Sequence, residues 1–302
     1  MPDSLAQARE EVALANRILA NEGVFDAFGH VSLRHPENPE HFLISRHRAP
    51  ELVQPADVLV LDLDGKAVVP TPYRLYGEVT IHASIFQARP DVMAICHHHA
   101  PAVLPYAIAK VDMVPVYHLG ASMGETVPFW DSRDDFGATA LVVVDAAEGK
   151  SLAKALGPHS MVLMGRHGAT VVGASLRELV FRTIYTTRNA ELQTQAKLLG
   201  AVHPLSPEEI TKAAAYNLRP APMERAWDLW AKHLAEKEGR IAAPAAPKVE
   251  STPVAKSARA KPAKAPTRKG AAKKKSPSKR KGGKAFSVFA EWSWPGLSRP
   301  PR

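Results

Sequence analysis

The composition of this chain changes abruptly near Ala242. From there to the carboxyl end it consists largely of Ala, Pro, Lys and Ser, as in the segment KPAKAPTRKGAAKKKSPSKRKGGK. Such a stretch has too few large apolar side chains to offset the conformational entropy that is lost on folding. We therefore predict a folded domain over residues 1–240 and a disordered, basic tail over residues 241–302.

The charge of the chain is divided in the same way. The formal net charge is +9, but residues 248–302 carry 16 Lys or Arg against two acidic residues, whereas residues 1–247 carry 23 against 28. The basicity therefore belongs to the tail. A Lys-rich tail favours salt-sensitive, sequence-independent contact with polyanions and raises the possibility that the chain works on DNA, although no base-reading motif accompanies it. The tail could equally be a solubility appendage.

Cysteine content and hydropathy indicate the cellular compartment. A single cysteine, Cys96, excludes an intramolecular disulfide. The amino-terminal residues lack the basic and then apolar pattern of a secretion signal, and no run approaches the roughly 18 apolar residues that are needed to cross a bilayer. We expect a cytoplasmic protein without a membrane segment.

Helix and strand signals alternate through the folded part. Apolar residues at helical spacing predict helices over residues 4–20, 75–87, 101–109, 137–156 and 175–199. Short apolar runs between turn residues predict strands over residues 31–34, 41–45, 58–63, 67–70, 91–96, 160–164 and 169–172. This order predicts a mixed α/β fold in which a central sheet is flanked by helices.

One of the predicted strands leads into three consecutive histidines. Successive side chains of a strand point to opposite faces, so His97 and His99 should face the same side while His98 faces the other. Two converging imidazoles can bind zinc or a similar divalent cation, and an open catalytic site needs about three protein ligands. The alternative is an ordinary polar strand end, because short metal motifs have many false positives.

Two further residues are candidates to complete such a site. His167 lies at the tip of the hairpin predicted for residues 160–172, where Gly165 and Gly168 allow a close approach of the backbone. Glu78 lies within the predicted apolar helix 75–87, where a buried carboxylate usually has a partner such as a cation. His82 should lie one turn later on the same face, either hydrogen-bonded to Glu78 or as an ordinary surface pair.

Taken together, these residues resemble the class II aldolase/adducin family, which includes fuculose-phosphate aldolase and ribulose-phosphate epimerase. The resemblance covers about residues 5–205. In that family an acidic residue after a proline-containing turn precedes a strand that ends His-x-His-x-Pro, and a later His-Gly supplies the third metal-binding histidine. Here the corresponding residues are Glu78 after Thr71-Pro72, the segment 97–101, and His167 with Gly168.

The resemblance implies a three-layer α/β fold with a mostly antiparallel central sheet, assembled as a homotetramer with active sites at subunit interfaces. It implies one divalent metal ion per subunit, held by His97, His99 and His167, with zinc favoured and manganese, iron or cobalt as alternatives. In the chemistry of the family the ion stabilises an enolate while a carboxylate, here Glu78, moves a proton.

The sequence departs from the aldolases where they bind the substrate phosphate. The small phosphate-binding groups are replaced by Gly29-His30, by the cationic segment 45–50 and by Leu75-Tyr76-Gly77. Because Arg recognises planar carboxylates, these changes predict a small carboxylated, unphosphorylated substrate. The residues predicted to bind it are Gly29, Ser45, Arg46 and Arg48. The alternative for the cationic segment is a solvated basic loop.

A second departure concerns the reaction. The catalytic tyrosine of the aldolases is missing, because His118 is followed by Leu119. The sequence is most similar to the decarboxylase branch, which acts on 2-hydroxy-3-carboxymuconate semialdehyde or dihydroxyphthalate in aromatic degradation. The resemblance therefore implies a metal-dependent carbon–carbon lyase in which Arg46 or Arg48 orients a carboxylate and Glu78 or His30 protonates the carbanion.

Two other readings of the family resemblance stay open. One is an aldolase or epimerase that acts on a small unphosphorylated hydroxy-carbonyl compound, which release of carbon dioxide would distinguish. The other is a non-catalytic, adducin-like binding protein, against which the joint presence of Glu78, His97, His99 and His167 argues.

Overall fold

Seven short runs of aliphatic and aromatic residues form one sheet in the computed structural model, which describes residues 4–239. The strands are β1 (His30–Arg34), β2 (His41–Ser45), β3 (Val58–Asp62), β4 (Ala94–His98), β5 (Phe129–Trp130), β6 (Met161–Met164) and β7 (Gly168–Gly173). Their order is β3-β2-β1-β4-β7-β6-β5, and every pair is antiparallel except β5 with β6. The predicted mostly antiparallel central sheet is therefore confirmed.

Helices cover both faces of this sheet. They are α1 (Ser4–Asn21), α2 (Val79–Ala88), α3 (Leu104–Ala109), α4 (Ser132–Phe136), α5 (Ala146–Leu156), α6 (Leu176–Leu199), α7 (Pro207–Asn217) and α8 (Pro220–Lys237). The alternation of side chains along β4 separates two cores. Ala94 and Cys96 pack with α1, α6 and α8, whereas Ile95 packs with α2 and α5. The three layers agree with the prediction.

Three predicted helices begin later than expected, and the one predicted from residue 101 begins at Leu104. The helix predicted from residue 137 begins at Ala146, because Asp145 caps it and exchanges hydrogen bonds with the backbone and side chain of Glu148. The helix predicted from residue 75 begins at Val79, which puts Glu78 at its amino-terminal cap rather than in its middle. The hydroxyl of Tyr76 donates to the carbonyl of Arg48 and so holds the preceding residues outside the helix.

Other boundaries differ less. The strand predicted over residues 67–70 is reduced to a single bridge between Ala67 and Leu61. The helix predicted from Ser175 forms as expected, and the Ser175 hydroxyl accepts from the backbone N–H of Glu178. Within residues 4–239, no helix combines the length and the apolar character that crossing a bilayer requires. The predicted tail, 241–302, lies outside the described residues.

A buried arginine joins α2 to β1. Arg34 donates from Nε to the carbonyl of Val92 at 3.0 Å and from Nη1 to that of Pro39 at 2.6 Å. Its Nη2 donates to the carbonyls of Phe86 at 2.9 Å and Arg89 at 3.1 Å, near the carboxyl end of α2. A cation at this end of a helix satisfies carbonyls that have no partner within the helix. Arg34 therefore holds α2, and with it Glu78, against the sheet.

Replacing this arginine should destabilise the fold. We expect Arg34→Met to lower the free energy of unfolding by about 3 kcal/mol, because buried carbonyls lose a charged donor. Urea denaturation of the full chain measures the change. The matched control is Arg225→Met at an exposed position of α8, for which we expect a change within about 0.5 kcal/mol. Equal effects of the two substitutions would contradict this account of Arg34.

Candidate metal centre

Four side chains from three separate segments meet at one point beside the sheet. Glu78, His97, His99 and His167 each offer one ligand atom, and these atoms all lie within 4.8 Å of one another. Nε2 of His97 is 3.0 Å from Nε2 of His99 and 3.6 Å from Oε2 of Glu78. Oε1 of Glu78 is 3.4 Å from Nε2 of His167. The structure thus brings together the residues that the sequence singled out.

Strand β4 supplies two of these residues. His97 lies in the strand and His99 directly follows it, and alternation puts both on the side of Ile95, towards α2. The intervening His98 is fully buried, and its Nδ1 accepts from the backbone N–H of Ala100 at 3.2 Å. The expectation that His97 and His99 share a side therefore agrees with the structure.

His167 enters from the turn that joins β6 to β7. The turn lies beside the end of β4, because β4 and β7 are paired. A Cβ atom at Gly168 would lie 2.3 Å from the carbonyl oxygen of His98 and 2.9 Å from Cδ2 of His99. Only glycine permits this approach, which is the role that the sequence suggested for it.

The turn itself is held by an ion pair. Arg166 adopts a positive φ of 56°, and its Nη2 donates to Oδ1 of Asp131 at 2.6 Å. Hydrogen bonds from Arg166 and Arg133 hold the pKa of the Asp131 carboxyl well below its usual range. Nδ1 of His167 is buried and has no hydrogen-bond partner within residues 4–239. The His167 ring is therefore positioned by the turn, which this ion pair holds, and by its packing against the rings of His97 and His99.

Glu78 has the electrostatics of a group that exchanges protons. Burial raises the pKa of its carboxyl to about 7, although a hydrogen bond from the backbone N–H of Val143 acts in the opposite direction. The suggestion that His82 pairs with Glu78 is wrong. Nε2 of His82 lies 2.7 Å from Nδ1 of His30, and its Nδ1 lies 2.6 Å from Oγ of Ser32.

The hydrogen bonds around His97 fit a cation at this point. Nδ1 of His97 is 3.2 Å from Oγ1 of Thr170, whose own hydroxyl donates to Sδ of Met164 at 3.3 Å. The hydroxyl oxygen of Thr170 is thus free to accept from Nδ1–H of His97, so Nε2 of His97 carries a lone pair that faces the centre.

The titration of the imidazoles agrees with a metal site. Burial lowers the pKa of His97 well below its usual value and that of His167 to about 4. Both rings are therefore neutral near pH 7, which is the form that binds metals. Three imidazoles and one carboxylate suit zinc, manganese, iron or cobalt. The residues present fit a divalent cation.

A cavity of about 170 Å³ opens onto this group of residues. Its walls include Gly29, His30, Arg48, Tyr76, Glu78 and His99. The Gly29 backbone has a φ of +107°, and a Cβ atom there would lie 2.3 Å from the ring of Phe25. A larger residue at position 29 would therefore disturb this wall.

Only some of the residues predicted to bind substrate line the cavity. Gly29 and Arg48 line the cavity, but Ser45 and Arg46 are not among its walls. Oγ of Ser45 is 2.9 Å from the hydroxyl of Tyr76. Arg46 donates to Asp57 at 2.7 Å, and its guanidinium lies over the ring of Tyr73. Both side chains therefore support neighbours of the cavity.

Sequence reasoning missed two polar residues of the cavity wall. His47 and Tyr76 line it, and the ring of Tyr76 lies 4.6 Å from that of His30, centroid to centroid. Two sequence features could have indicated them: His47 lies between two arginines, and Tyr76 is a bulky residue two positions before Glu78. Their direction could not be read locally, because Tyr76 is oriented by its bonds to Ser45 and Arg48.

Comparisons with known proteins agree with this architecture. The profile of the class II aldolase and adducin N-terminal domain family matches residues 10–194. Decarboxylase tropJ of Talaromyces stipitatus is 33% identical over 245 residues, which cover 72% of this chain and 90% of that protein. The 3,4-dihydroxyphthalate decarboxylase of Arthrobacter keyseri is 28% identical over 214 residues, which cover 66% of this chain and 82% of that protein.

A solved structure shows the same fold. L-fuculose 1-phosphate aldolase from Glaciozyma antarctica superposes with a TM-score of 0.65, over 78% of this chain and 90% of that chain, at 21% identity. At this level of identity the likeness concerns the architecture alone.

The ion pair behind His167 should control metal affinity. We expect Asp131→Asn to weaken zinc binding by about 10- to 100-fold, because a neutral amide holds Arg166 less firmly. Competition with a chromophoric chelator measures the affinity. The control is Asp91→Asn, since Asp91 also pairs with an arginine, Arg89, but precedes the opposite end of β4. Unchanged zinc affinity in Asp131→Asn would refute this role.

Proposed function

The chain belongs to the class II aldolase and adducin family, and on this premise we propose that it is a divalent-metal-dependent decarboxylase. The observation that carries the proposal is the convergence of Glu78, His97, His99 and His167 beside a cavity. A metal-dependent lyase is the function that the family and its named relatives support, and two of those relatives are decarboxylases. They favour a carboxy-lyase over an aldehyde-lyase.

In this proposal His97, His99 and His167 hold the ion, with zinc favoured over manganese, iron or cobalt. The bound ion would act as a Lewis acid on a hydroxyl or oxo group of the substrate and stabilise the negative charge left by bond cleavage. The Thr170 hydroxyl keeps Nε2 of His97 available as a ligand atom. Neutral imidazoles bind without first losing a proton near pH 7.

Loss of carbon dioxide leaves a carbanion that must gain a proton. Glu78 and His30 are the two groups proposed for this step, and both line the cavity. Oε2 of Glu78 is 4.0 Å from Nε2 of His30. In the metal-free site burial raises the pKa of the Glu78 carboxyl to about 7, so this group can gain and lose a proton near neutral pH, as general acid–base catalysis requires.

Arg48 is the residue that we propose to orient a substrate carboxylate. Its Nε donates to the carbonyl of Leu52 at 2.7 Å and lies 3.2 Å from Asp57. A guanidinium whose Nε is anchored in this way can direct its terminal nitrogens to a planar carboxylate. Gly29 allows the substrate a close approach, while Ser45 and Arg46 act through Tyr76 and Asp57.

The proposed substrate is a carboxylated hydroxymuconic semialdehyde or a related intermediate of aromatic degradation. We further propose that residues 1–240 form the catalytic domain and that the basic tail, 241–302, contacts polyanions without a part in catalysis. We also propose a homotetramer, as the family resemblance implies, and a location in the cytoplasm.

Removing one proposed ligand should abolish metal binding and turnover together. We expect His99→Ala to lose both, because two imidazoles hold a divalent ion far less tightly than three. Elemental analysis and carbon dioxide release measure the two properties. The control is His98→Asn, which keeps an acceptor for the N–H of Ala100 and should keep its metal. Full activity in metal-free His99→Ala would refute the proposal.

Carbon dioxide release also tests the role of Arg48. With a carboxylated semialdehyde as substrate, we expect Arg48→Met to raise KM by about tenfold to hundredfold with a smaller change in kcat, since a charged hydrogen bond is lost on binding. Arg225→Met again serves as the control. Release of an aldehyde instead of carbon dioxide would favour the aldolase alternative, and an unchanged KM in Arg48→Met would exclude its role.

A further inference from the structure

Hydrogen bonds join three buried side chains in a row that runs from the sheet to the cavity. Oγ of Ser32 is 2.6 Å from Nδ1 of His82, and Nε2 of His82 is 2.7 Å from Nδ1 of His30. Ser32 and His82 are fully buried, and His30 is 3% exposed. His30 alone of the three lines the cavity. These hydrogen bonds therefore connect the buried core to one ring nitrogen of His30, which can contact the substrate.

The direction of these hydrogen bonds follows from the serine. Among residues 4–239, His82 is the only hydrogen-bond partner of the Ser32 hydroxyl. If that hydroxyl only accepted, its own hydrogen would be buried without an acceptor, at a cost of about 1–3 kcal/mol. Ser32 therefore donates to Nδ1 of His82. Burial lowers the pKa of His82 to about 3, so this ring is neutral and carries its single proton on Nε2.

The same reasoning gives the protonation state of the His30 ring. Because Nε2–H of His82 donates to Nδ1 of His30, that nitrogen must accept and cannot carry a proton. The single proton of the His30 ring then lies on Nε2. This nitrogen is 4.0 Å from Oε2 of Glu78, so its N–H points to the part of the cavity where the substrate would react.

We propose that Ser32 and His82 are positioning residues that fix His30 as a neutral N–H donor to the substrate. His30 then hydrogen-bonds the negative charge that develops on a substrate oxygen as carbon dioxide leaves, and it keeps its proton. A neutral imidazole is a far weaker acid than a carboxylic acid, so the proton that reaches the carbanion comes from Glu78. This inference rests on the proposed function and assigns separate roles to its two candidate groups.

Substitutions of His30 separate a hydrogen-bond donor from a proton donor. The side-chain amide of His30→Gln can offer an N–H but cannot transfer its proton, whereas His30→Leu offers neither. We expect His30→Gln to keep kcat within about tenfold of the unaltered protein and His30→Leu to lose about 100-fold or more. If His30→Gln is as inactive as His30→Leu, His30 is not a simple donor and the proposal is overturned.

Substitutions of Ser32 test the positioning role. We expect Ser32→Ala to lower kcat by about 10- to 100-fold with zinc content and KM unchanged, because His82 is then free to shift its proton to Nδ1. Ser32→Thr, which restores the hydroxyl, should recover much of the loss. The control is Ser84→Ala, another buried serine, on the same helix as His82. A Ser32→Ala variant that keeps kcat, or that loses its zinc, contradicts the proposal.

Neutron diffraction reads the tautomer without any substitution. In the zinc-loaded full chain exchanged into heavy water, we expect deuterium on Nε2 of His30 and none on Nδ1. Deuterium on Nδ1, whether the ring is neutral or doubly protonated, overturns the proposed direction of these hydrogen bonds. The result does not depend on turnover, so it can be distinguished from a failure of the unaltered enzyme to release carbon dioxide, which would refute the proposed function instead.

Discussion

The candidate site depends above all on the pairing of strand β4 with its two neighbours. His97 lies opposite His30 of β1 and opposite Thr170 of β7. This register sets the cavity histidine, the proposed ligand and the hydroxyl that orients it side by side, although they are far apart in sequence. A slip of one residue would turn His97 and His99 to the other face of the sheet, so the hydrophobic alternation along β4 also protects the site.

Burial then decides how these groups ionise. The rings of His30, His82 and His97 are kept neutral mainly because the interior disfavours an imidazolium, and the same effect raises the pKa of the Glu78 carboxyl to about 7. Burial of an ionisable group destabilises the folded state unless the group has a hydrogen-bond partner or a ligand. Under the proposed function, these opposite shifts let one small site combine neutral imidazoles that hold the metal with a carboxyl that moves a proton.

The residues that line the cavity, and not the fold, determine which reaction is possible. A solved aldolase has the same architecture, so the sheet and helices do not select the bond that is broken. In this chain His47, Arg48 and Tyr76 occupy the wall, and the first two bring hydrogen-bond donors suited to a carboxylate. Under the proposed function, specificity comes from these three residues, while the metal ligands, Glu78 and His30 supply the chemistry.

Local sequence determined much of this protein. Alternation along β4 predicted that His97 and His99 share a side, the serine at position 175 predicted the start of α6, and the order of the elements predicted a layered α/β fold. These features depend on neighbours within a few residues, which periodicity and capping rules describe. Only the tertiary structure decided that Glu78 lies at the N-cap position of α2 and that His82 faces His30 and Ser32. It also decided that Arg46 turns to Asp57 while Arg48 lines the cavity. Each of those outcomes depends on contacts between segments joined by strand pairing or by one long-range hydrogen bond, and no local pattern encodes which partner a polar side chain will meet.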